Sequence, residues 1–129
     1  MGRIITIASA KGGVGKTTIA INLSLTLSRY FKKKVLLIDF NLTAPHISTY
    51  LGLFSKNKTL NSILKGNESI ENVIQDYFFG LKVITSSENL NDLIGIDFSY
   101  LKYELNKIKG KFDFIIIDNA PGIGREAIN

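Results

Sequence analysis

A short glycine-rich segment between a strand and a helix constrains this chain more than any other feature. Residues 11–18 read Lys-Gly-Gly-Val-Gly-Lys-Thr-Thr and follow the apolar run Ile4-Ile5-Thr6-Ile7-Ala8. Gly12, Gly13 and Gly15 leave the backbone free to turn and leave no side chain in the way of a close ligand. Successive N–H groups of such a turn can face one concavity and hold anionic oxygens. The helix expected from about Lys16 adds its unpaired N–H groups and the positive end of its dipole at the same place. Lys16 contributes a full positive charge. The segment reads as a phosphate cradle; the plain alternative is a glycine-rich surface turn with two solvated lysines.

The rest of the chain supplies a setting for such a cradle. Arg3 to Ser9 is a near-continuous apolar run, as expected for a strand buried on both faces of a parallel sheet. Lys16 to Phe31 is expected to be helical, with Ile19, Leu23, Leu27 and Tyr30 or Phe31 as its core stripe. Val35 to Phe40 is a second buried strand that delivers Asp39 to its carboxyl end. Asn41 to Ser48 reads as a loop. Short helices are expected at Ile47 to Leu51, stopped by Gly52, and at Thr59 to Leu64, capped by Thr59 and ended by Gly66. The spacing of Ile70, Val73, Ile74 and Tyr77 suggests a helix over 70–77, and Leu81 to Thr85 a third strand. Ser99 to Ile108 reads as a helix with Leu101, Leu105 and Ile108 inward, and Phe112 to Asn119 as a fourth strand holding Asp118. Strands alternating with helices indicate parallel βαβ units and an α/β fold.

Composition narrows the function classes. The 129 residues and 45% hydrophobic content suffice for one packed domain. Cysteine is absent, which removes disulfides, Cys-ligated zinc and iron–sulfur ligation from this stretch and fits a reducing cytoplasm. No apolar run approaches bilayer-spanning length, and the N-terminus has no secretory pattern. The net charge of +5 favours anionic partners. The lysines are spread along the chain, however, which reads as compositional bias rather than a dedicated nucleic-acid patch.

Open α/β sheets bind ligands at the carboxyl ends of their strands. Asp39 and Asp118 both stand at such ends. A lone aspartate after a strand is most often a turn or helix cap. Two of them beside a phosphate cradle point to the carboxylates of a Mg²⁺ site, acting through water. His46, the only histidine, follows Pro45 in a polar loop and reads as loop structure rather than catalyst. Core packing is the expectation for Tyr77, Phe78, Phe79, Phe98, Tyr100 and Tyr103. Ser86, Ser87 and Glu88 could face the site or cap a turn.

The strict motif G-x-x-x-x-G-K-[ST] is not met, because its first glycine would fall at Ala10. Instead Lys11 opens the segment, and Lys-Gly-Gly-x-Gly-Lys-Thr-Thr resembles the deviant Walker A loop of the MinD/ParA group of P-loop ATPases. The likeness extends to 112–122, Phe-Asp-Phe-Ile-Ile-Ile-Asp-Asn-Ala-Pro-Gly, which resembles the Walker B strand and the start of switch II. It extends also to 35–46, Val-Leu-Leu-Ile-Asp-Phe-Asn-Leu-Thr-Ala-Pro-His, which is similar to the strand and switch I that follow the first helix, most of all in MinD-like proteins.

The resemblance implies a three-layer P-loop NTPase fold with a mainly parallel sheet, binding ATP or ADP with Mg²⁺. It implies a cofactor cradle of Lys11, Gly12, Gly13, Val14, Gly15, Lys16, Thr17 and Thr18, with Thr18 at the α-phosphate and the Gly122 N–H near the γ-phosphate. Thr17, Asp39 and Asp118 would serve the metal, and Lys11, Lys16, Asp39 and Asn41 the chemistry. An ATP-dependent homodimer is implied in which Lys11 reaches the partner's phosphates, with an unidentified protein regulator or cargo. The expected location is cytoplasmic, peripheral at the membrane for a full-length protein; neither membrane nor DNA association is visibly encoded in this segment.

Two departures qualify the likeness. Relatives commonly carry Asp-x-Asp in switch I, whereas the second position here is Asn41, an amide that orients water but cannot take its proton. Family domains are also roughly twice this length, so residues 1–129 are expected to be the N-terminal part of a single P-loop domain, cut after the Walker B strand. The rival readings are an Mrp-like iron–sulfur carrier ATPase and a catalytically idle nucleotide-binding module. Arg125 and Glu126 are expected to open the next helix.

Overall fold

The computed structural model describes residues 3–7, 14–42, 45, 47–55 and 58–119. Their elements, in chain order, are β1 (Arg3–Ile7), α1 (Val14–Arg29), β2 (Val35–Phe40), α2 (Ile47–Leu51), α3 (Leu60–Leu64) and α4 (Ile70–Val73), followed by β3 (Gln75–Asp76), β4 (Lys82–Ile84), α5 (Ser99–Ile108) and β5 (Phe114–Asn119). The strands form one sheet in the order β1-β5-β2-β4-β3. Every pairing is parallel except β3 with β4.

The continuous apolar strands explain the layering. β2 is buried along its whole length and β5 along nearly all of it. Leu36, Ile38, Phe40, Ile115 and Ile117 pack toward α3, α4 and α5. Val35, Leu37, Val83 and Ile116 pack toward α1 and α2. Side chains alternate across a strand, so a run apolar at every position needs cover on both faces. The result is the α/β, mainly parallel architecture expected, with helices on both sides of the sheet.

Several local expectations hold. α2 and α5 have the bounds expected, and Leu101, Leu105 and Ile108 are inward. Gly66 ends α3 at φ +76°, with the Gly66 N–H bonded to Ile63 O at 2.9 Å and the Asn67 N–H to Ser62 O at 3.0 Å. That pair of bonds past a left-handed glycine is the Schellman closure.

Other expectations need correction. β1 is not buried on both faces: Arg3, Ile4 and Thr6 are exposed, because the strand has only β5 as a neighbour among the described residues. α1 runs two residues earlier than expected, and its inward face is Thr17, Ala20, Ile21, Ser24 and Ser28. Ile19, expected in the core, is 59% exposed, Tyr30 and Phe31 lie beyond the helix and are exposed, and Leu23 and Leu27 are half-buried. Small side chains at this spacing let the helix lie close to the sheet, and the Ser24 hydroxyl is satisfied by the Ala20 carbonyl at 2.7 Å.

Residues 70–77 form a helix only to Val73. The chain then turns into β3 and pairs with β4, so Tyr77 donates its N–H to Leu81 O at 2.8 Å rather than extending the helix. The third expected strand is β4, shorter at both ends, and the fourth starts at Phe114 instead of Phe112. Core packing fails for Phe78, Phe79, Tyr100 and Tyr103, all exposed, while Phe98 does pack, its ring centroid 5.7 Å from that of Phe40.

Candidate nucleotide-phosphate and metal site

The strand order builds the site. β5 lies between β1 and β2, and its register sets Asp39 directly beside Asp118. Neighbouring in-register residues of parallel strands face the same side. For this pair it is the α1 side, where the first turn of the helix brings Lys16 and Thr17. All four residues are buried.

The Lys16 ammonium sits 2.9 Å from Asp118 Oδ1, donates to Asn41 Oδ1 at 3.2 Å, and also donates to the Asn119 carbonyl. Thr17 Oγ1 donates to Asp118 Oδ2 at 2.8 Å. Asn41 ties the two carboxylates together: its Nδ2 donates to Asp39 Oδ1 at 2.8 Å and to Asp118 Oδ2 at 3.1 Å. Carboxylates only accept, which fixes the amide orientation. Asp39 accepts further bonds from the backbone N–H groups of Asn41 at 3.0 Å and Ile47 at 3.1 Å.

Two buried carboxylates with one ammonium leave an excess of negative charge. Burial pushes the Asp39 carboxyl above the ordinary aspartate value of 3.8, and the neighbouring Asp118 pushes the same way, against the bonds from Asn41 and Ile47. Thr17, Asp39 and Asp118 form an all-oxygen donor set suited to a hard cation. No group of three or more His, Cys, Asp or Glu able to hold a metal exists among the described residues. A partial shell of this kind fits Mg²⁺, which keeps several waters and takes one or two carboxylates plus substrate phosphates.

Lys16, Thr17, Asp39, Asn41 and Asp118 are thus brought together. Gly15 and Thr18 are exposed on the first turn of α1, and Val14 begins that helix. Lys11, Gly12, Gly13, His46, Gly122, Arg125 and Glu126 lie outside the described residues. Sequence reasoning missed the Asn119 carbonyl on Lys16 and the Ile47 N–H on Asp39, since a backbone group carries no residue-type signal. It left Ser86 open between site and loop. The Ser86 hydroxyl bonds the Asp39 carbonyl, whereas Ser87 turns to Asp92.

Comparison with known proteins decides what this arrangement belongs to. A family described as an AAA domain matches residues 2–129. The structure of the septum site-determining protein MinD of Pyrococcus horikoshii, complexed with Mg-ADP, superposes with a TM-score of 0.86 at 36% identity, covering 99% of this chain and 53% of that one. The chain belongs to the MinD/ParA family of P-loop ATPases.

Other members of the MinD/ParA family are similar over the same span. An uncharacterized ATP-binding protein of Methanocaldococcus jannaschii is 33% identical over 123 residues, covering 95% of this chain and 46% of that protein. The chromosome-partitioning ATPase Soj of Treponema pallidum is 35% identical over 136 residues, covering all of this chain and 53% of Soj. The chain therefore spans about half the length of the MinD/ParA relatives it matches.

Proposed function

We propose that residues 1–129 form the N-terminal part of a single P-loop domain that binds ATP or ADP with Mg²⁺ and acts as a nucleotide-dependent switch in division-site placement, partition or positioning. The observation that carries this reading is the convergence of Lys16, Thr17, Asp39 and Asp118 at the carboxyl ends of two adjacent strands. Lys16 moves its ammonium from Asp118 to the β- and γ-phosphate oxygens. Asp118 and Thr17 would then hold the metal, with Asp39 beside Asp118 in the sheet. The backbone from Lys11 to Gly15 and the Gly122 N–H hold phosphate oxygens, and Thr18 serves the α-phosphate. When bound, Mg²⁺ would supply neutralisation of phosphate charge. Lys11 reaches across to the partner's phosphates in an ATP-dependent homodimer, and the closed face presents a surface to a protein regulator or cargo.

Lys16→Ala is expected to weaken Mg²⁺–nucleotide binding by about 3 kcal/mol or more, the scale of losing a charged partner from a buried site. Titration calorimetry checks this, and unchanged affinity would overturn the reading.

A second reading, a nucleotide-binding module with little or no hydrolysis, is favoured by Asn41. Its amide is engaged with both carboxylates and with Lys16, and it has no basic lone pair for a water proton. Single-turnover ATP hydrolysis separates the two: measurable cleavage supports the ATPase, and binding without cleavage supports the module.

A further inference from the structure

Asn41 is buried just past the end of β2, with both ends of its amide engaged. Its Nδ2 donates to Asp39 Oδ1 at 2.8 Å, to Asp118 Oδ2 at 3.1 Å and to the Asp118 carbonyl at 3.3 Å. Its Oδ1 accepts from the Lys16 ammonium at 3.2 Å, and its backbone N–H donates to Asp39 Oδ1 at 3.0 Å. One side chain thus joins β2, β5 and the first turn of α1. With it in place, each carboxylate oxygen of the pair accepts from a donor of this chain. Asp39 Oδ1 takes Asn41 and Asp39 Oδ2 the Ile47 N–H; Asp118 Oδ1 takes Lys16 and Asp118 Oδ2 takes Thr17 and Asn41.

Two carboxylates side by side in a sheet repel each other, and burial magnifies the repulsion. A cation between them is one remedy. The Asn41 Nδ2 is another, because its hydrogens carry partial positive charge to both carboxylates and add no net charge. An aspartate has the same shape but no hydrogen to give. At position 41 it would set a third carboxylate oxygen where the Nδ2 lies, against Asp39 Oδ1 and Asp118 Oδ2. Only the Lys16 ammonium would then offset three negative charges. An alanine would remove the bridge and leave the two carboxylates facing each other.

We infer that Asn41 is a positioning residue that stands in for a cation between Asp39 and Asp118, so that the chain holds this pair together without Mg²⁺ and admits the metal only together with a nucleotide. This role rests on the nucleotide–Mg²⁺ reading of the site and adds an order of binding to it. Mg²⁺ sheds its water reluctantly, so carboxylate oxygens already supplied with donors are poor ligands for it. The free ion offers Lys16 and Asn41 no other acceptor. Nucleotide phosphates do: they give the Lys16 ammonium new oxygens, which releases Asp118 Oδ1 and removes the bond that Lys16 makes to the Asn41 amide.

Urea denaturation followed by circular dichroism tests this in EDTA and in about 10 mM MgCl₂, with NaCl of equal ionic strength as the control for screening. The wild-type midpoint should be the same in EDTA and in Mg²⁺, and should rise when Mg²⁺ and ADP are added together. Asn41→Ala and Asn41→Asp should both shift the midpoint to lower urea in EDTA. Mg²⁺ alone should recover roughly half or more of each loss, because the folded variants now bind the ion. Gly66→Ala, far from the carboxylates in sequence and fold, should lose stability that Mg²⁺ does not restore. A variant unfolded in EDTA should refold on adding Mg²⁺. The proposal is overturned if Asn41→Ala is as indifferent to Mg²⁺ as Gly66→Ala, or if Mg²⁺ alone stabilises the wild type. Calorimetry with Mg²⁺-ADP judges the nucleotide reading separately. Nucleotide binding by a wild type that Mg²⁺ alone also stabilises sinks the role of Asn41 only; no nucleotide binding, with both variants rescued by Mg²⁺, sinks the nucleotide reading and the order of binding but supports the stand-in for a cation.

Discussion

Asp39 accepts hydrogen bonds from Asn41 and Ile47 while sitting beside Asp118 in the sheet interior. Burial and the second carboxylate raise its pKa above 3.8, so the folded protein holds a proton there more tightly than the unfolded chain. For an acid with a raised folded value, the sign of the linkage is fixed. Its contribution favours folding below the unfolded value and is lost as pH rises through the folded one. Asp39→Asn removes this titration. The stability of the wild type relative to Asp39→Asn is therefore expected to improve as pH falls from neutrality toward 3.8, by at most about 1.4 kcal/mol per pH unit. Urea denaturation of both proteins across that range measures the difference, and a gap independent of pH would exclude the titration. Lys16 and Thr17 set the complementary limit: both bond to Asp118, so Asp118→Ala leaves an ammonium buried with only Asn41 and a carbonyl. Asp118→Ala is expected to cost about 3 kcal/mol or more of folding stability, checked by the same denaturation.

Gly66 and α1 show two ways in which an element is specified. At Gly66 a Cβ would lie 2.9 Å from the Tyr100 Cζ, and φ is +76°. Gly66→Ala is expected to cost about 1–2 kcal/mol in urea denaturation, and adding Tyr100→Ala should recover only the steric share. That helix end was legible, because glycine just past a short apolar segment has one common use. β2, α5, β5 and the two aspartates were legible for a related reason: runs such as Ile115-Ile116-Ile117 have few alternatives to a doubly covered strand. α1 misled because hydrophobic spacing ranks Ile19 above Ser24, whereas close approach to the sheet ranks the small residue first. Ile70, Val73, Ile74 and Tyr77 fit a helix by spacing alone, and only the pairing with β4 shows that the last of them belongs to a hairpin. In the site, residue types announced Lys16, Thr17 and Asp118, but the Asn41 bridge between carboxylates depends on strand register, which no local pattern encodes.

Across the whole molecule, the sheet order has a consequence for how the fold is reached. β5, the last strand of the described residues, occupies the place between β1 and β2 and pairs with both. Without it the first two strands have no common neighbour, and Ile115, Ile116 and Ile117 are missing from both hydrophobic layers. A chain cut at Gly110 is expected to show no cooperative urea transition by circular dichroism; a sharp one would mean that the earlier elements form a stable body alone. The bond from Lys16 to Asp118 spans 102 positions, so closure of that long loop must precede the site. On the ribosome, Lys16 of the cradle is translated 102 positions before Asp118, which forms its second wall. Synthesis thus gives the nascent protein a built-in delay: this motif stays incomplete until the strand that carries Asp118 has left the exit tunnel.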